Sequence, residues 1–329
     1  MSTYTMPDSL TGQVLSAAQA APSLDNSQPW LILPFGNRFE VYTDPHRAAP
    51  AADPVGRQRV ISTGAALFTL RLALRVRGMA VETRTFPDPS RPGYAAEVLV
   101  RPGAAGTAEE RRLAAAIVSR RTWRAPYSPI PVPDWVLGRL ADEAAREGAA
   151  LVPVAGHAQR DQLAEFLVRA LAEQLADPAR AAEQLSWLRA GAGAEDGIPL
   201  ANIAPATYPI PGLPLPDPLE SNPFCATDSW RPVVRGLAYR DALPLLVTHG
   251  DDPVNWLRAG CAVQRVLLTA TRHGLATGFL NQPLECEPVR AELTEAFAVT
   301  GHPQLLLRLG YPAGPRPPAT ARRRIQRHR

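Results

Sequence analysis

Two stretches of the chain carry the same order of apolar and polar positions. The first, DPVGRQRVISTGAALFTLRLALRVRGM, opens with Asp53 and Pro54, the pair expected at a helix N-cap and first helical residue. The second, DDPVNWLRAGCAVQRVLLTATRHGL, opens the same way with Asp252 and Pro253. Each reaches a glycine followed by small residues, Gly64-Ala65-Ala66 and Gly260-Cys261-Ala262. Each ends at a second glycine fourteen positions later, Gly78 and Gly274. Beyond the first glycine both are apolar around most of their circumference, which predicts two buried central helices. The Asp-Pro to glycine spacings differ, so the match is one of pattern rather than identity.

The flanks follow the same order. Strand-like AVETRTF and YAAEVLVR follow the first helix. After the second come ATGFL and, past a helix-like EPVRAELTEAF, the strand-like PQLLLRLGYP. Ahead of them, TGQVLSAAQAAPS pairs with DWVLGRLADEAAREGA, an amphipathic helix before an apolar stretch. Two unrelated buried helices could produce part of this; the agreement of the flanks favours an internal duplication. The expected halves are residues 1–115 and 116–329.

Each half also holds a piece that the other lacks. The first has APSLDNSQPW, where a helix stops and presents an asparagine, a glutamine and a tryptophan in a few residues. By itself this reads as a helix C-terminus and turn, with Trp30 starting a strand and belonging to the core. The second has IVSRRTWRAPY, by itself a helix end with a solvated charge cluster, and REGAALVPV where the first half has its loop. It also has an insertion, helix-like over about 157–190. A run over 199–223 follows it with eight prolines, which reads as a lid or a packed loop. Residues around any substrate are expected in this insertion, roughly 155–235.

Composition narrows the chemistry. At 329 residues, 46% hydrophobic and 20% charged, the chain is long enough for two ordinary domains or one large one, and is not disordered. All 35 basic residues are arginine. Without lysine there is no Schiff base of the pyridoxal-phosphate kind and no phosphate-loop lysine; guanidinium forks suited to phosphate and carboxylate remain. The net charge of +4 rests on a tail, ARRRIQRHR, with five arginines, so the body is near neutral and a nucleic-acid surface is not supported. That tail is either a solvated basic end or an arm aimed at one anion. Cys225, Cys261 and Cys286 are too scattered for a disulfide framework or zinc site, and the six histidines have no metal-like spacing. There is no Gly-x-Ser-x-Gly elbow and no Gly-x-Gly-x-x-Gly fingerprint. No stretch reaches the apolar length of a membrane span, and the N-terminus lacks a signal-peptide layout, so a cytoplasmic protein is expected.

Taken together, AAPSLDNSQPW and SRRTWRAPY resemble the two flavin-binding signatures of the nitroreductase family. DPVGRQRVISTGAAL, AGCAVQRVLLTATRHGL, LNQPLE and PQLLLRLGYP with an arginine-rich end extend the likeness, in order, to the fused, double-length Acg-like branch. The resemblance implies an α+β nitroreductase-like fold, internally duplicated so that one chain mimics the usual homodimer. It implies FMN in one composite site, made by Pro22, Ser23 and Asn26 of the first half and Arg120, Arg121, Thr122 and Arg124 of the second. Arginine forks and a threonine hydroxyl suit a phosphate, and an amide such as Asn26 can match the alternating flavin pyrimidine edge. By the same resemblance, the backbone of Asn281 and Gln282 lies near the reactive flavin nitrogen, and Arg322 and Arg323 form a C-terminal pair that reaches the phosphate. The family's Pro-Arg-Arg-Pro is here Ala321-Arg-Arg-Arg324, an arm with less preorder.

The implied function is an FMN-dependent oxidoreductase taking hydride from NAD(P)H to an unknown small-molecule acceptor. No catalytic side chain is named, since the flavin carries the chemistry. Two other readings stay open: an FMN-storage protein whose flavin is covered by the 199–223 lid, and a dehydrogenase of a biosynthetic intermediate. A flavin-free interaction protein is disfavoured by the intact pair of signatures. The expected state is a monomer acting as a pseudo-dimer, or a dimer of these, with no nucleic-acid or membrane partner.

Overall fold

The computed structural model describes residues 5–191, 193–202 and 242–324. The first half runs α1 (Asp8–Gln19), β1 (Trp30–Phe35), β2 (Arg38–Thr43), α2 (Arg57–Arg75), β3 (Met79–Thr85), β4 (Tyr94–Pro102) and α3 (Ala108–Ala116). The second runs α4 (Asp134–Ala145), β5 (Ala150–Pro153), α5 (Gly156–Ala176), α6 (Pro178–Ser186), β6 (Pro244–Thr248) and α7 (Pro253–Arg272). It continues with β7 (Ala276–Phe279), a helical turn Gln282–Glu285, α8 (Glu287–Ala296) and β8 (His302–Gly310).

These strands form two four-stranded sheets, β1-β2-β4-β3 and β5-β6-β8-β7, with every neighbouring pair antiparallel, and Leu188–Arg189 pairs separately with Ile198–Pro199 as a short parallel ladder. Helix, two strands, central helix and two strands thus occur twice, in one order and one topology. This is the internal duplication that the sequence pattern predicts and the α+β fold that the family resemblance implies. The second copy carries α5 and α6 between its first two strands, where the first has only the turn at Gly36-Asn37. Apolar residues of α5, among them Leu163, Phe166 and Leu167, form a separate core with Leu284, Val289, Leu293 and Leu306. Most of the 199–223 segment lies outside the described residues.

The copies meet along α2 and α7, which cross at their glycines. A Cβ on Gly64 would stand 2.2 Å from the Leu257 carbonyl oxygen, and one on Gly260 would stand 1.9 Å from that of Ile61. Each glycine therefore faces the carbonyl three residues before the other glycine, the self-complementary contact of a two-fold interface. Cys261 donates its thiol to the Gly64 carbonyl oxygen across this crossing at 3.3 Å. Neither half closes its core alone. Leu257, Cys261 and Leu268 of α7 belong to the core of the first half, and Ile61 of α2 to that of the second.

The starts of the two helices correct one expectation. Asp252 caps α7 as predicted, accepting from Asn255 N with Pro253 in the first turn. Asp53 and Pro54 do not open α2, which begins at Arg57 after Gly56 in the left-handed region (φ 76°). The Asp53 carboxylate instead reaches forward to the N–H groups of Gln58 and Arg59, at 3.0 and 2.8 Å. A preceding turn supplies the cap, and that turn accounts for the unequal Asp-Pro to glycine spacings. Counted from the first helical residue, Gly64 and Gly260 occupy the same position. Among the described residues no helix is long and apolar enough to cross a membrane.

Candidate cofactor site and active site

The loop after α1 is held by its own polar groups. Gln28 N donates to Ser23 Oγ at 2.9 Å, the Ser27 hydroxyl donates to the Leu24 carbonyl at 2.7 Å, and Leu24 N donates to Ser62 Oγ of α2 at 3.3 Å. Asp25, Asn26 and Gln28 have φ of 47°, 55° and 51°, three non-glycine residues in the left-handed region within four positions. Such backbone persists where the surroundings over-determine it, and it clusters at functional sites. Trp30 is buried in the first core, its indole N–H on Gln19 Oε1.

The segment from Arg120 to Ser128 is stitched to the edge of the second sheet. Trp123 N donates to the Thr277 carbonyl at 2.7 Å, and Ser128 N to that of Tyr311 at 2.8 Å. Gly278 permits this approach: a Cβ there would lie 2.6 Å from the Trp123 carbonyl oxygen. The loop and this segment face one another, and between them lie two adjoining chambers that share Pro22, Ser23, Thr122 and Arg124 as walls.

The outer chamber, about 230 Å³, is lined by Asn26, Arg120, Arg121 and Arg322 besides the shared residues, and no acidic side chain lines it among the described residues. Arg120 is 5% exposed, and its Nε and Nη1 have no partner; Arg121 Nε and Arg322 Nε are also buried without one. Burial, and then the neighbouring guanidinium groups of Arg322, Arg121 and Arg124, push Arg120 down to about 9. Arg322 is pushed down to about 10 by burial and then by Arg121. Buried cations that repel each other and leave donors unused call for an anion with several acceptor oxygens. A phosphate monoester fits that donor set.

The inner chamber, about 200 Å³, has an apolar wall of Ile61 and Ala65 from α2, Val263 from α7, and Phe279 and Leu305 from the second sheet. Asn281 and Gln282 border it. The Asn281 side chain is turned to β8, accepting from Leu306 N at 2.9 Å, while Gln282 Oε1 and Gln58 Nε2 are buried without partners. Both chambers together have the size usual for a small-molecule site, about 300–1,000 Å³. An apolar slot with an unused amide donor and acceptor suits a flat heteroaromatic ring.

The far end of the inner chamber is polar. Asp177 caps α6 and places Arg180 and Glu183 on its first turns. Arg180 pairs with Glu285 Oε2 at 2.5 Å, Gln174 Nε2 reaches the same oxygen at 3.3 Å, and both Glu183 oxygens accept from Ala51 N and Ala52 N. Burial raises the Glu285 carboxyl, against the lowering pull of Arg180 and Arg57. Asp25 lines this end without a hydrogen bond to its carboxylate among the described residues. It is pushed up to about 6, by burial first and then by Glu285.

Of the residues expected to hold the cofactor, Pro22, Ser23, Thr122 and Arg124 border both chambers. Arg120, Arg121, Asn26 and Arg322 border the outer one, and Asn281 and Gln282 the inner one. Asn26 is not presented to the inner chamber. Its Nδ2 donates to the carbonyls of Gly197 and Ala321 at 3.0 and 3.1 Å, and its Oδ1 accepts from Arg322 at 2.7 Å. Arg323 borders neither chamber: its guanidinium binds the Gln28 carbonyl and faces Asp44. Sequence reasoning named neither Asp25, Gln58 nor Glu285. Gln174, Arg180 and Glu183 fall in the insertion expected to surround substrate.

Duplicated sheets about crossed central helices, with a composite cleft lined from both copies among the described residues, define a nitroreductase-like pseudo-dimer. No protein-family model matches the chain. It is 34% identical over 322 residues to "Putative NAD(P)H nitroreductase Rv3131" of Mycobacterium tuberculosis (strain ATCC 25618 / H37Rv), covering 96% of this chain and 90% of that one. It is 29% identical to the same organism's "Putative NAD(P)H nitroreductase acg", covering 97% and 96%. Among solved structures it is similar to an FMN-bound nitroreductase from Bacteroides fragilis NCTC 9343 (16% identity, TM-score 0.38, covering 61% of this chain and 88% of that one). It is also similar to the FMN-dependent nitroreductase NfnB from Mycobacterium smegmatis in complex with NADPH (20%, 0.37, 62% and 88%). The chain belongs to the nitroreductase family.

Proposed function

We propose that this protein is an FMN-dependent oxidoreductase that draws hydride from NAD(P)H and delivers reducing equivalents to a small-molecule acceptor. The observation that carries the reading is the outer chamber, where Arg120, Arg121 and Arg322 bury donors with no protein acceptor. Halves 1–115 and 116–329 each contribute one wall of the single site. Arg120, Arg121 and Arg322, with the Thr122 hydroxyl, would hold the phosphate. Pro22 and Ser23 would bracket the connecting chain, and Ile61, Ala65, Val263 and Leu305 would exclude water from the ring. Gln282 would complete its hydrogen bond on the ring's polar edge. Bound there, FMN supplies the hydride chemistry; the protein binds and orients it.

The test is the visible absorption spectrum of the purified protein before and after anaerobic NADPH. Flavin bands that bleach are the expected result. Lack of flavin after reconstitution with FMN would falsify the reading. A second reading, cofactor storage, is favoured by the segment entering the proline-rich stretch: Ile198 and Asn202 already wall the outer chamber. It requires flavin bands that NADPH, ferredoxin and dithionite all leave unchanged.

A further inference from the structure

Among the described residues, the polar end of the inner chamber contains one carboxylate without a hydrogen-bond partner, that of Asp25. Glu183 is committed to two backbone N–H groups, and Glu285 to Arg180 and Gln174. The charged groups acting on Asp25 come from three elements: Glu285 from the turn after β7, Arg124 from the Arg120–Ser128 segment, and Glu183 and Arg180 from α6. Arg180 is engaged by Glu285, and Arg124 also borders the outer chamber, where a phosphate would attract it. Asp25 is held in place by the left-handed run of its loop and by the Ser23 and Ser62 hydroxyls, so its direction is built in. Two amide groups of the same chamber are also unused. Gln58, 4% exposed, leaves Nε2 without a partner, and Gln282 leaves Oε1 without one.

We infer that Asp25 is the substrate-recognition residue of this chamber and selects a small substrate carrying a cationic N–H group, an ammonium or amidinium. Such a group donates to the Asp25 carboxylate and replaces the hydration removed on burial, which a neutral hydroxyl does less well and an anion opposes. An acceptor elsewhere on the substrate, such as a nitro or carbonyl oxygen, can take the Gln58 N–H. The inference rests on the proposed flavin reading, because the ring would occupy the apolar part of the chamber and leave the polar end for substrate.

The experiment is calorimetric binding of 4-nitrobenzylamine, 4-nitrobenzyl alcohol and 4-nitrobenzoate to the flavin-loaded oxidised protein, with its visible spectrum recorded on the same sample. The amine is expected to bind about tenfold or more tightly than the alcohol at pH 7.5, the scale of one charge-assisted hydrogen bond. The benzoate is expected to bind most weakly. The amine preference should shrink as pH falls through about 6, where Asp25 takes up its proton. Asp25→Asn should bind amine and alcohol alike; asparagine tolerates the left-handed backbone, so the loop is retained. Equal binding of amine and alcohol with flavin bound, or an amine preference that survives in D25N, overturns this inference alone. Absence of flavin after reconstitution overturns it together with the oxidoreductase reading.

Discussion

Gly260→Ala tests the crossing on which both halves and the site depend. In an isolated helix the change favours folding by about 1 kcal/mol, because alanine loses less backbone freedom than glycine. Here the new methyl would lie 1.9 Å from the Ile61 carbonyl oxygen, backbone that cannot swing away. Ordinary van der Waals approach begins near 3.4 Å, so α2 and α7 must part by more than an ångström. A gap of about 0.5–1 Å already forfeits a quarter to a half of the dispersion attraction between facing atoms. The packing weakened in this way is central, since Leu257, Cys261 and Leu268 sit in the first core and Ile61 in the other. Overpacking of this kind outweighs the propensity gain and should leave the protein about 2–3 kcal/mol less stable. In a chain of this length that lowers Tm by roughly 3–5 °C by calorimetry. Gly64→Ala should behave alike, and the double variant should lose less than the sum, because one separation relieves both clashes. Gly138→Ala is the control: it is exposed on α4 with nothing within 4 Å of its Cβ, and should gain about 0.5–1 kcal/mol. Stability of G260A equal to or above wild type would refute the close crossing.

Three other measurements bear on the site. Arg120→Met should weaken FMN binding about 10- to 100-fold, the scale of charged hydrogen bonds removed, while Arg323→Met, turned toward Gln28 and Asp44, should change it far less; fluorescence titration compares them. In flavin-free protein, Asp25→Asn should raise stability by about 3 kcal/mol at pH 7.5 and leave it unchanged near pH 3. The folded carboxyl titrates at about 6 against 3.8 unfolded, so the native state binds the extra proton between those values and stability falls as pH rises through them; denaturant titrations at both pH values check this. Asn26→Ala should release the C-terminal arm by removing its bonds to Ala321 and Arg322, which limited trypsin digestion would show as faster cleavage after Arg322; an unchanged rate would mean that the arm is anchored by Gln28 instead.

Much of the fold was written in local pattern. Helices α2 and α7 are apolar around most of their circumference because they are covered on nearly every side, and a buried helix must show that in its residues. The repeated order of helix and strand was readable for the same reason. The start of α2 was not, because Asp53 caps from outside the helix, across a turn, and a side chain reaching forward leaves no periodic trace. The two signatures stood out as dense runs of directional groups, and resemblance supplied their pairing.

What the sequence determined by itself was therefore what lies within one helix, strand or loop: which faces are apolar, where turns fall, and which short stretches crowd arginines and polar groups together. Only the tertiary structure decided which of these stretches meet. Arg322 faces the outer chamber while Arg323, one residue on, is taken by Gln28 and Asp44, far earlier in the chain. Asp25 shares a chamber with Arg180, Glu183 and Glu285 because α6 and the turn after β7 pack over its loop. Periodicity records the burial of a face, which is local; the separation of distant side chains is set by how closely whole elements pack, here by two glycines that let the central helices touch.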